Sequence, residues 1–109
     1  MKSILQKNKE CLICLNPVVE EHHVFFGSAN RKLSEKYGLK VYLCMEHHRG
    51  TNGVHGKNGK ILNDKLKRFA QIKFEEANPS LDFIKIFGRN YKWVNKLILL
   101  KLKMKLNKY

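Results

Sequence analysis

The chain has 109 residues and a mass of 12.8 kDa, room for one small domain and an appended tail but not for two independent cores. Hydrophobic residues make up 43% and charged residues 28%, which excludes a wholly disordered chain, and no apolar run approaches the roughly 20 residues of a transmembrane helix. Lysine and arginine number 22 against 9 acidic residues, a formal charge of +13, so the expected partner is a polyanion, nucleic acid before an acidic membrane surface.

A core this small calls for a metal, a disulfide or a partner to support it. The opening residues, Met1 to Lys7, carry no signal-peptide core, which predicts a cytosolic protein. Three cysteines cannot all pair, and in a reducing compartment they read as metal ligands or thiols. Residues 8–26 begin with a Cys-x2-Cys turn (Cys11, Cys14), pass Pro17, and continue as a β-rich run through Val24, Phe25 and Phe26 that Gly27 ends. Arg31 to Tyr37 has helical composition and stops at Gly38, a residue suited to a left-handed cap. Lys40 to Leu43 predicts a short strand that delivers Cys44. Gly50, Gly53, Gly56 and Gly59 then mark a loop. Apolar residues recur at Leu62, Leu66, Phe69, Ala70, Phe74 and Ala77, a helical stripe that Asn78-Pro79 terminates. Ser80 is the expected N-cap of a second short helix, Leu81 to Phe87, closed by Gly88. In the tail, residues 91–109, Ile98, Leu100, Leu102, Met104 and Leu106 alternate with lysines at strand spacing, while the Leu, Lys and Met composition favours helix. Helix is the expectation.

Cys11-x2-Cys14 followed by Cys44-x2-His47 is the strongest local signal. Two residues between ligands let one tight turn aim both side chains at one ion, and two such turns fill the four tetrahedral positions of a structural zinc site. A redox Cys-x-x-Cys or a set of merely buried thiols is the alternative. A redox pair, however, has no use for a third cysteine followed by histidine at the same spacing. All five histidines flank or join this motif: His22, His23, His47, His48 and His55. Neighbours on a strand point to opposite faces, yet at a strand end one of the His22-His23 pair can bind a metal while the other approaches a substrate.

The run His22-His23-Val24 followed by Leu43-Cys44-Met45-Glu46-His47-His48 resembles the HNH, or ββα-metal, endonucleases, in particular their zinc-stapled branch. With Gly53-Val54-His55-Gly56 added, it is similar to small phage HNH proteins, among them the RecA-dependent, recombination-enhancing nucleases of temperate phages. The resemblance covers about residues 10–90. It implies that His22 and His48 ligate a catalytic divalent ion, Mg2+ or Mn2+, that His23 is the general base, and that His55 is a further ligand or a phosphate contact. One departure stands out: many relatives carry a middle asparagine where this chain has Leu39, Lys40 and Val41.

Arg31, Lys32, Arg49, Lys57 and Lys60 lie near these motifs in sequence and are expected to hold a phosphate backbone, with steep salt dependence and little sequence information. Lys65, Lys67 and Lys73 read as solvated helix faces, and Phe25 and Phe26 as core. The expected architecture is a small α+β domain over residues 1–90: a ββα-metal core with one structural zinc, additional C-terminal helices, and a basic tail over residues 91–109. The expected function is metal-dependent cleavage of DNA for a phage or prophage in a bacterial cytoplasm, with a recombinase filament as a further partner implied by the resemblance. The rival readings are a zinc-stabilised DNA- or RNA-binding module without catalysis and, third, a membrane-surface protein anchored by its Lys/Leu tail.

Overall fold

A two-stranded antiparallel ribbon organises the molecule, and its register decides which side chains meet. The computed structural model describes residues 1–92; the expected helical tail lies outside them, apart from Tyr91 and Lys92. Strand β1 (Glu20–His23) pairs with β2 (Lys40–Leu43), with α1 (Ser28–Tyr37) crossing between them. A one-turn helix α2 (Met45–His48) follows β2 directly, and the long α3 (Lys60–Ala77) and short α4 (Phe83–Phe87) complete the fold. The class is α+β. Among the described residues no helix is long and apolar enough to cross a membrane.

The register sets His22 opposite Val41 and His23 opposite Lys40. Because side chains alternate along a strand, Glu20, His22, Val41 and Leu43 share one face of the ribbon, and Glu21, His23, Lys40 and Tyr42 share the other. The first face looks inward: His22, Val41 and Leu43 are all buried. The β-rich run expected to reach Phe26 ends as a strand at His23. The Val24 amide still donates to Leu39 O, but the amide and carbonyl of Phe25 are taken by the buried Ser34 hydroxyl (3.1 and 2.8 Å). Gly27, at a φ of 93°, then turns the chain into α1, which therefore begins three residues before the expected Arg31.

Gly38 caps α1 in the left-handed conformation, at a φ of 71°, as its position predicted. The last short helix starts later than expected. Asp82, not Ser80, is its cap, accepting from the Lys85 amide, which satisfies a donor that the first helical turn leaves free. The core is mainly aromatic here. Phe25 lies 5.3 Å from Phe83, 4.9 Å from Phe87 and 4.9 Å from Tyr91, ring centre to ring centre, and Phe74 on α3 packs against Phe83. The folded body thus extends through Tyr91, one residue into the stretch assigned to the tail.

Candidate metal centres

The first centre joins two turns. In the first, the Cys11 amide donates to Asn16 O and the Leu15 amide to Cys11 O, and the chain closes through Leu15 at a φ of 66°. In the second, Cys44 precedes α2 and His47 sits on it. The donor atoms of Cys11, Cys14, Cys44 and His47 all lie within 4.8 Å of one another. A zinc–sulfur bond of about 2.3 Å at tetrahedral angles would separate two sulfurs by about 3.8 Å and a sulfur from a nitrogen by about 3.5 Å. The structure has 3.7 Å between the Cys14 and Cys44 Sγ atoms and 3.6 Å between Cys11 Sγ and His47 Nδ1; Cys44 Sγ to His47 Nδ1 is tighter, at 3.1 Å. Burial opposes charge on Cys11, but the backbone amides of Cys44, Cys14 and Ile13 outweigh it and bring the thiol down to about 6. At Cys14, which is exposed, the Asn16 amide favours the thiolate, yet desolvation and the neighbouring sulfurs of Cys11 and Cys44 prevail and raise its pKa, as crowded thiolates without a cation must. The cluster could hold a metal ion such as zinc.

The second centre is built only of imidazoles. Strand β1 supplies His22, α2 supplies His48, and the glycine-rich coil supplies His55; their ring centres stand 4.9–5.1 Å apart, with donor nitrogens within 4.8 Å of one another. His22 is 2% exposed, and its Nε2 has no hydrogen-bond partner among the described residues. A buried polar atom without a partner costs about 1–3 kcal/mol, so its retention calls for a ligand, and a cation suits it. Burial, reinforced by the positive fields of His48, His55, His23 and Lys67, lowers the His22 pKa to about 3. The ring is therefore neutral near pH 7 and its lone pair is free to bind. Burial, then His48, also lowers His55.

His48 is oriented from behind. Glu20 Oε1 accepts its Nδ1–H at 2.8 Å, leaving Nε2 as the ligating nitrogen, the usual carboxylate–histidine support of a metal ligand. The same carboxylate accepts Arg49 Nε at 3.0 Å and Nη2 at 2.6 Å. The His48 and Arg49 donors hold Glu20 below the ordinary carboxylate range.

His55 reaches the cluster through backbone contacts that only glycine permits. Val54 and His55 amides donate to the carbonyls of His47 and His48 (both 3.0 Å), while Gly53, Gly56 and Gly59 donate in turn to Gly50, Gly53 and Gly56. This coil is so tight that a Cβ on Gly56 would stand 1.9 Å from Gly50 O, and one on Gly59 1.7 Å from Gly53 O.

His23, at the end of β1, is not part of that cluster. On the opposite face of the ribbon its Nε2 lies 3.0 Å from Glu35 Oε1 and 3.8 Å from Glu21. Lys40 Nζ bonds both Glu35 oxygens (3.1 and 3.0 Å) and the Met1 amino group one of them (2.8 Å). The amino group, His23 and Lys40, in that order, hold the Glu35 carboxyl well below its usual range. An ionised Glu35 accepts the His23 Nε2 proton, which leaves Nδ1 as the basic nitrogen. Although Glu21, His23 and Glu35 are also close enough to enclose an ion, Lys40 and the amino group already supply the positive charge there.

Of the basic residues expected to hold phosphate, Arg31, Lys32 and Lys57 are exposed, whereas Arg49 is engaged by Glu20 and Lys60 by Asp64 (2.8 Å). Three expectations are corrected. Lys65 is buried, because its position on α3 turns it inward; Lys67 is half-buried, its ammonium over the rings of Phe26 and Tyr91; and Phe26 is 40% exposed, not core. Lys73 is solvated and pairs with Glu76. Sequence reasoning missed Glu20, Ser34, Glu35 and Lys67. Only Glu20 carried a readable signal, two residues before His22 on an alternating strand. No protein-family model, curated protein or solved structure matches this chain.

Proposed function

We propose that this chain is a metal-dependent endonuclease of the HNH type that hydrolyses DNA phosphodiester bonds. The observation that carries the reading is the buried, unpartnered Nε2 of His22 among two further imidazoles within metal-ligand reach. A divalent ion held by His22, His48 and His55 would stabilise the charge that builds on the phosphate and on the leaving 3′ oxygen. All-imidazole donors suit a later transition ion such as Ni2+ or Zn2+ best, with Mn2+ behind these and Mg2+ last.

The protein's own groups do the rest. His23 Nδ1 takes a proton from the attacking water, and Glu35 keeps that nitrogen basic by holding the other ring proton. Glu20 keeps His48 in the ligating tautomer. Ser34 braces the bend after His23, a service for which the family's middle asparagine would otherwise be invoked. The cysteine cluster staples the turn bearing His48 to the turn that leads into the strand bearing His22, and surface cations hold flanking phosphates. The proposed setting is phage or prophage DNA metabolism in a bacterial cytoplasm.

The test is incubation of the purified chain with supercoiled plasmid and with circular single strands, in Mn2+, in Mg2+ and without either. Ion-dependent nicking is the expected result. Binding without cleavage in every ion would instead favour a zinc-stabilised nucleic-acid-binding module.

A further inference from the structure

Phe26 is out of place among the aromatic residues. Its neighbour Phe25 is 1% exposed, yet Phe26 is 40% exposed. Its ring centre stands 4.9 Å from that of His55 and 6.0 Å from that of His22, so an open apolar surface borders the three-histidine cluster. Lys67, on α3, lays its ammonium 4.9 Å over the Phe26 ring and 5.3 Å over the Tyr91 ring, and the Arg89 guanidinium lies 5.4 Å from Tyr91. Tyr91 is pinned in turn: its amide donates to the buried Gln71 Oε1 at 2.7 Å, and Gln71 also holds Asn90. Burial lowers the Lys67 pKa, Asp64 opposes it, and Arg89 and Lys60 add to it. Part of the hydration of this ammonium has thus been exchanged for aromatic faces, and a phosphate oxygen is a stronger partner than either.

We propose that Phe26, Lys67 and Arg89 form a docking wall for single-stranded DNA, on which one unpaired base stacks against Phe26 while the adjoining phosphates take up Lys67 and Arg89. The inference rests on the nuclease reading and adds to it the substrate class at the histidine cluster. An aromatic face interleaved with cations is the chemistry of single-strand grooves, because every base offers a π-face once it is unstacked. In a duplex the bases already stack on one another, and Phe26 has nothing to receive. As a base arrives, Lys67 leaves the ring for the phosphate, so cation and aromatic serve one ligand.

Fluorescence anisotropy of the zinc-loaded chain, with no further divalent ion so that nothing is cut, tests this with a labelled oligothymidylate and a mixed-sequence duplex. Phe26→Ala should weaken single-strand binding about 5–150-fold, the range for loss of one stacked base, and leave duplex binding unchanged. Phe26→Leu keeps apolar bulk against His55 without the π-face and should behave like Phe26→Ala, whereas Phe26→Trp should restore affinity. Lys67→Gln should lower the slope of log affinity against log salt by about 0.7, one single-strand phosphate. Zinc content and melting temperature of each variant separate lost docking from lost fold. Single-strand affinity unchanged in Phe26→Leu, or single- and double-strand affinity falling together, would overturn the proposal. Ion-dependent nicking by the wild type would then leave the nuclease reading standing; a wild type that neither nicks nor binds DNA sinks both.

Discussion

His47 and His48 are neighbours on one turn of helix, yet they serve two centres of opposite character. His47 joins three cysteines in a cluster whose donor atoms all lie within 4.8 Å, two of the pairs close to tetrahedral spacing, with backbone amides favouring the Cys11 thiolate. Nothing is left over there for a substrate. His48 joins two imidazoles, one buried without a partner and one at the surface, and three protein ligands leave coordination positions open. Four ligands and closure suit a structural ion; three ligands and an opening are what the proposed catalytic ion would need. Sharing α2 means that the closed centre sets the position of the open one.

The comparison breaks first at the cysteines. Cys44→Ser should unfold or aggregate the chain, since structural zinc contributes on the order of 10 kcal/mol to small metal-dependent domains. Elemental analysis with circular dichroism checks it; a folded, zinc-free variant would show that the closed cluster holds nothing together. Gly56→Ala comes next. Its Cβ would meet Gly50 O at 1.9 Å, so the coil must open at a cost of about 1–3 kcal/mol. The expected outcome is a chain with its zinc intact and weakened Mn2+ affinity at the histidines, measured by titration calorimetry.

A smaller effect sharpens the contrast on the other face of the ribbon. The folded pKa of Glu35 lies below its ordinary value of 4.5, so its ion pairs contribute stability above that pH and lose it as the pH falls below. Glu35→Gln should flatten that part of the acid limb in melting experiments and lower the rate of cleavage, because the ring of His23 loses the ionised partner that fixes its Nε2–H tautomer. The smallest change concerns the cysteine turn. Leu15 holds a left-handed conformation that costs an L-residue roughly 1–2 kcal/mol, against about 0.5–1 kcal/mol of extra chain entropy lost by glycine. Leu15→Gly should therefore raise stability by about 0.5–1 kcal/mol, read from denaturant midpoints, with zinc retained.

The two centres were not equally legible in the sequence. Each half of the cysteine cluster is a local turn, and two-residue spacing writes its geometry into the chain. The histidine cluster is not local: His55 was visible only as a histidine in a glycine loop, and what brings it to His48 is a coil of close backbone contacts whose pitch no periodicity reveals. Glu35 and Ser34 escaped because α1 returns them to β1 across a gap in sequence. Phe26 misled for a related reason. Its apolar neighbours promised a longer strand, but the Ser34 hydroxyl captures Phe25 and the bend turns Phe26 outward. Lys67 flanks the apolar stripe of α3, three residues before Ala70 and seven before Phe74; its charge reads as solvated in the sequence, and tertiary packing places two rings beneath it.

The most direct test of the open centre is the rate of plasmid nicking by His22→Ala, His48→Ala and His23→Ala across a Mn2+ titration, with zinc content checked for each. Loss of a ligand should move the His22 and His48 curves to higher Mn2+, with partial rescue by excess ion. Loss of the base should leave the His23 midpoint in place and lower its plateau by about 10²–10⁴, beyond rescue by metal. His23→Ala cleaving at the wild-type rate, or His22→Ala keeping the wild-type Mn2+ midpoint, would contradict the division of roles drawn here.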